Sequence, residues 1–242
     1  MVLGLTGCTN NQFTRLGFPN PITAQGKTVL TLWQGSWIAG LAVGAVIWGL
    51  ILWAVIFHRK KGDRLPPQVR YNMPIEILCT TVPFVLIAVL FYFTAKDENY
   101  IDQLKPNPQV VVDVLGFQWS WQFNYPQYHV TNVGNMYGYG PLPVLEIPTG
   151  ELIQFNLTSA DVDHAFWVPE FLFKRDVIPG HPNHFQVFVD GPAGRTYTGH
   201  CSELCGLYHS KMLFTVKVVT PQQFQADMTA EQAQQSSSGS TP

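Results

Sequence analysis

Residues 32–57 contain no Asp, Glu, Lys or Arg. An uncharged run of that length has two stable homes. It crosses a bilayer as a helix, for which about 20 apolar residues suffice, or it lies at the centre of a large core. Trp33, Trp37 and Trp53 stand towards its ends, where amphipathic rings favour the membrane interface. Residues 74–95 form a second run with Glu76 as the single charge, closed by Lys96, Asp97 and Glu98. Between the runs, Arg59, Lys60, Lys61, Arg64 and Arg70 stand against one acid, Asp63. A short basic loop between two spans marks the cytoplasmic side. The expectation is a transmembrane helical hairpin over residues 31–98 with the N- and C-termini extracytoplasmic. Cys79, inside the second run, reads as an apolar filler. A net charge of −2 offers no positive excess for nucleic acid.

From residue 106 the period shortens. Leu115, Phe117, Trp119, Trp121 and Phe123 alternate with Gly116, Gln118, Ser120 and Gln122, which predicts one half-buried strand. Further strands are expected at 152–157, 184–189, 195–200 and 213–219, and a loop at 132–143. Many short strands predict an all-β sandwich or barrel over residues 99–221. Residues 222–242, rich in Gln and Ser, read as a disordered tail after at most one short helix. Residues 1–30 form an N-terminal segment. In it Leu5-Thr6-Gly7-Cys8 looks like a lipoprotein processing site with Cys8 as lipid anchor, although the apolar run is short and no basic residue precedes it.

Residues 201–212 gather Cys201, Glu203, Cys205, His209 and Met212. Thiolate, imidazole and thioether are soft donors that suit copper. Two four-coordinate coppers bridged by both thiolates would each still take one imidazole and one weak donor. His209 and an upstream histidine, His164, can be the imidazoles; Met212 and the Glu203 carbonyl can be the weak donors. A disulfide between the two cysteines and a zinc site with His164 and His209 are the alternatives. The complete spacing, with its thioether, favours copper.

That motif, C-x-E-x-C-x3-H-x2-M with an upstream His, resembles subunit II of the aa3-type haem–copper cytochrome c oxidases. The resemblance implies a Greek-key cupredoxin domain with a binuclear copper A centre. It implies His164 and Met212 on one copper, and His209 and the Glu203 carbonyl on the other. It also implies a magnesium ion on the Glu203 side chain at the boundary with subunit I. The subunit would accept electrons from cytochrome c and pass them to haem a of subunit I, where oxygen is reduced and protons are pumped across a bacterial cell membrane. Haems would belong only to partner subunits. Trp119, the first tryptophan of Gln118-Trp119-Ser120-Trp121, matches the residue through which electrons arrive. Glu76, by its spacing to Pro83, matches the glutamate of proton uptake.

Residues 171–180 resemble the loop facing the haem-bearing subunit, with Lys174 and Asp176 at its charged positions. Phe117, in place of a more common His, and the Gly/Tyr-rich segment before Pro143 are similar to actinobacterial oxidases with a membrane-bound dihaem cytochrome c. Three rivals are weaker. A quinol-oxidase subunit II would not need the metal donors, a copper carrier would not need Glu76 or paired spans, and a nitrous oxide reductase would need a second large domain.

Overall fold

A computed structural model describes residues 13–60, 62, 68–135 and 140–238. Cys8, Lys61, Asp63, Arg64 and residues 136–139 of the expected loop lie outside them. The chain divides into two compact units, residues 31–98 and the remainder.

The apolar runs form α1 (Ala24–Phe57) and α2 (Met73–Asp102). Ile38, Leu41, Trp48 and Leu52 on α1, and Leu78, Phe84 and Phe91 on α2, are exposed, and no described residue of α2 is buried. A core helix would be covered by its own protein; these two present apolar surface outward along their length, as membrane-spanning helices do. The start of α2 is capped from both sides. Asn72 Oδ1 accepts the Ile75 N–H at 3.4 Å and Glu76 Oε1 accepts the Asn72 N–H at 2.9 Å, a reciprocal arrangement that satisfies two donors otherwise left without partners. Helix α2 continues past Lys96, Asp97 and Glu98 to Asp102.

The other unit is a β-sandwich. Its strands are β1 (Val110–Phe117), β2 (Ser120–Tyr125), β3 (Val130–Val133), β4 (Val144–Pro148), β5 (Leu152–Ser159), β6 (His164–Trp167), β7 (Lys174–Val177), β8 (Asn183–Phe188), β9 (Arg195–Cys201) and β10 (Leu213–Val219). One sheet has the order β3-β2-β1-β5-β8 and the other β4-β10-β9-β6-β7. β1 pairs with β5, and β4 with β10, in parallel; the other named pairs are antiparallel. The sheets meet over aromatic rings. Phe155 stacks on Phe185 at 4.9 Å and Phe166 on Phe214 at 5.0 Å, with Trp121 edge-on to Phe166 and Phe214.

Four expectations need correction. The alternating run 115–123 is two strands: β1 and β2 form a hairpin, with Phe117 paired to Ser120 across a turn at Gln118 and Trp119. The inward face of β1 is therefore Val110, Val112, Val114 and Gly116, while Leu115 and Phe117 are half-buried. Residues 171–180 contain a strand, β7, on the edge of the second sheet. The described part of the N-terminal segment is not separate from the sandwich. Ile22, Thr23 and Gln25 are buried in it, and the Ile22 carbonyl accepts the N–H groups of Asp190 and Gly191. Finally, residues 221–238 are not a disordered tail but a helix, α3 (Pro221–Ser238). Phe224 and Met228, four positions apart and so on one helical face, are both 1% exposed, and Phe224 packs on Tyr125 and Tyr128.

Candidate metal centre

The donors come from two places. His164 opens β6, and Gly116 of β1 lies behind its ring: a Cβ there would press on His164 Cδ2 at 3.2 Å. Cys201 closes β9 and Met212 immediately precedes β10. The Cys201 N–H donates to the Met212 carbonyl at 3.0 Å, so the ends of the intervening loop are tied. A short 3-10 turn, His209–Lys211, returns the loop towards β10.

Folding brings the whole expected donor set together. The two free thiols lie with Sγ atoms 3.8 Å apart, well beyond the bond length of about 2.05 Å in a disulfide. Cys201 Sγ is 3.8 Å from His164 Nδ1 and 3.3 Å from the Glu203 carbonyl. Cys205 Sγ is 3.6 Å from His209 Nδ1 and 3.8 Å from Met212 Sδ. His164 and Met212 are fully buried and the cysteines nearly so, while His209 is half-buried.

Asp161 orients His164, its Oδ1 lying 2.9 Å from Nε2. Burial tends to raise the Asp161 pKa, but hydrogen bonds from the Gln118 N–H, His164 and the Val162 N–H hold it below the usual carboxylate range. An ionised Asp161 only accepts, so Nε2 carries a proton towards it and Nδ1 is the ring nitrogen that faces Cys201, the side from which a metal would be held. Burial pushes the Cys201 thiol up, but contacts with His164, with the backbone of Ala165 and Glu203, and with His209 outweigh it and bring it to about 7. Burial, and then the charge of Cys201, push Cys205 up to about 12. The pair accepts one negative charge readily and resists a second, and a cation relieves that resistance. Buried soft donors around two thiolates fit copper better than a hard cation.

The other expected residues fall differently. Trp119, half-buried in the β1–β2 turn, donates from Nε1 to the Cys205 carbonyl at 3.0 Å and meets Tyr208 edge-on at 5.1 Å. Trp121 is fully buried. The exposed Glu203 side chain lies 3.7 Å from Lys174, which is 3.8 Å from Asp176. Glu76 belongs to the helical unit and is not part of this cluster. Sequence reasoning missed Asp161 and Gln118, which touch the site through hydrogen bonds; the carboxylate three positions before His164 was the available signal.

The family model for "Cytochrome C oxidase subunit II, periplasmic domain" matches residues 143–219. A "Probable cytochrome c oxidase subunit 2" of Streptomyces avermitilis is 47% identical over 91% of this chain and 80% of its own length. The chain belongs to the cytochrome c oxidase subunit 2 family. The subunit 2 of Mycobacterium bovis is 37% identical over 93% of this chain and 77% of its own length. The periplasmic domain of subunit II of Bradyrhizobium japonicum cytochrome oxidase is 28% identical, covers 54% of this chain and 99% of its own, and superposes with a TM-score of 0.49. As a member of this family, the chain is the membrane-anchored, electron-accepting subunit of a terminal oxidase, built from two apolar helices and a cupredoxin-like sandwich.

Proposed function

We propose that the chain holds a binuclear copper A centre, which accepts electrons from a cytochrome c outside the membrane and passes them to haem a of subunit I. The carrying observation is the pairing of donors about the two thiolates. His164 and the Glu203 carbonyl lie against Cys201, and His209 and Met212 lie against Cys205. Copper held by these residues would supply one-electron oxidation and reduction.

The protein's own contribution is to keep the ligands still and dry. Strands β6, β9 and β10 fix His164, Cys201 and Met212, and burial excludes water, so little has to rearrange when charge arrives. Met212, a weak thioether donor, would help hold copper and tune its potential. Trp119 and Tyr208 form an aromatic contact over Cys205 and Gly206, a suitable path for incoming electrons. Leu204 and Leu207, 78% and 80% exposed beside Cys205, offer apolar contact to a partner protein. The Glu203 carboxylate would share a magnesium ion with subunit I, Glu76 would admit protons, and the loop at residues 59–70 would be cytoplasmic. The donor cytochrome of an oxidase of this actinobacterial type would be a membrane-bound dihaem protein, and Cys8 would carry a lipid.

The test is copper loading of the full chain in detergent. Two copper ions per chain are expected, with an electron-spin signal shared equally by two copper nuclei. A signal from a single nucleus would overturn the binuclear reading. Cys201→Ser or Cys205→Ser should abolish the shared signal.

A further inference from the structure

The turn between β1 and β2 contains neither glycine nor asparagine, the residues that tight hairpin turns favour. It contains Gln118 and Trp119, and both side chains point back to one peptide group. Gln118 Nε2 donates to the Cys205 carbonyl at 2.8 Å and Trp119 Nε1 donates to the same oxygen at 3.0 Å. A carbonyl oxygen has two lone pairs, and here both are used. The next residue, Gly206, has φ +117°, which a residue with a Cβ rarely adopts. A Cβ there would also meet Gln118 Nε2 and Trp119 Nε1 at 3.2 Å. The loop is thus held against the two donors at its closest approach.

Gln118 is tied on its other side as well. Its own N–H donates to Asp161 Oδ2 at 2.7 Å, while the other oxygen of that carboxylate holds His164 Nε2. One residue therefore joins the carboxylate that orients the upstream imidazole to the peptide that carries the second thiol. These segments are distant in sequence and belong to separate parts of the fold.

We infer that Gln118 is a positioning residue for the metal centre, its side-chain amide fixing the Cys205 peptide and hence the Cys205 thiolate relative to His164. The inference rests on the copper reading for its consequence but not for its geometry. Without the amide, the Trp119 indole alone holds the carbonyl, the loop at residues 203–207 gains freedom, and the thiolate no longer has a single place.

Gln118→Leu and Gln118→Met in the full chain test this, since both remove the donor at similar volume. In the metal-free chain, amide hydrogen exchange at residues 203–207 should accelerate about five- to ten-fold, the factor for loss of a single neutral hydrogen bond, while helix and sheet content and the exchange of β5 and β8 stay unchanged. In the copper-loaded chain, the thiolate-to-copper absorption bands should shift and broaden, and transfer of copper to a chelator should quicken by a similar factor. Wild-type exchange and wild-type absorption in both variants would overturn the inference. If the wild-type chain fails to form a copper pair, the copper reading falls, and the metal-free exchange still decides whether Gln118 holds the loop.

Discussion

Gln235 of α3 holds the main chain of Thr131 on both sides, donating from Nε2 to its carbonyl at 2.9 Å and accepting its N–H on Oε1 at 3.1 Å. Thr131 lies on β3, the end strand of its sheet, where backbone groups would otherwise face water or another chain. The amide takes the place of a further strand. Below it, Phe224 and Met228 seat the helix.

Phe224→Ala should therefore destabilise the sandwich by about 3 kcal/mol or more, the usual loss for a buried aromatic. Gln235→Ala should cost about 1 kcal/mol. Denaturant unfolding of the full chain in detergent measures both. If Phe224→Ala changed stability by less than about 0.5 kcal/mol, α3 would not be part of the folded unit.

The helix shows where composition misleads. Residues 221–242 are mostly Gln, Ser and Ala, too polar on average to suggest a buried face, yet two apolar side chains at helical spacing are enough when a sandwich already offers Tyr125 and Tyr128. Strand β10 was legible because Phe214, Val216 and Val218 alternate inward between clear boundaries. The β1–β2 hairpin was hidden because its turn residues preserve the alternation of their neighbours. The gathering of the candidate donors was legible because most of them share one short loop of fixed spacing. Gln118 was not, since its contacts with Asp161 and Cys205 depend on which segments become neighbours; Asp161 had only its place three residues before His164 to mark it.

Stability should also depend on pH through Glu146. Burial raises its carboxyl from the ordinary 4.5 to about 7, against the opposing pull of Lys217 at 2.8 Å; Asp227 adds to the rise. Facing it from α3 is Asp227, which Glu231 also neighbours, and Tyr125 binds its backbone. Because the folded chain holds this proton more tightly than the unfolded chain, the contribution is complete below about pH 4.5 and is lost as pH rises through about 7. Asp227, held below its ordinary value, acts in the opposite sense and only at lower pH. Glu146→Gln should reduce the loss of stability between pH 5 and 8 by about 1–2 kcal/mol, allowing for solvent screening on the open side of the cluster. Equal slopes in the two proteins would remove Glu146 from the effect.

Glu76 admits two roles that one substitution separates. Its carboxylate accepts the Asn72 N–H, and a glutamine carbonyl can do the same, so Glu76→Gln should leave the start of α2 intact. If Glu76 also admits protons, turnover of the assembled oxidase should fall several-fold while reduction of the metal centre by its donor stays fast. Unchanged turnover from pH 6 to 9 would confine Glu76 to capping the helix.

The two tryptophans of the turn region should separate electron transfer from stability. Trp121 is fully buried against Phe166 and Phe214, so Trp121→Ala should cost about 3–5 kcal/mol and reduce the yield of folded protein. Trp119 is only half-buried, and its ring lies between Tyr208 and the Cys205–Gly206 peptide. It touches the ligand loop while keeping part of its surface exposed, whereas the cysteines are nearly buried. Trp119→Gln keeps a side-chain N–H but removes the ring, so copper content should stay near normal while electron input slows by at least ten-fold. Trp119→Phe, which keeps a ring and loses the N–H, should recover part of that rate. Stopped-flow reduction of the copper-loaded variants by the native cytochrome measures this directly. A normal rate in folded, copper-replete Trp119→Gln would exclude the indole from the path and leave it only the hydrogen bond to Cys205.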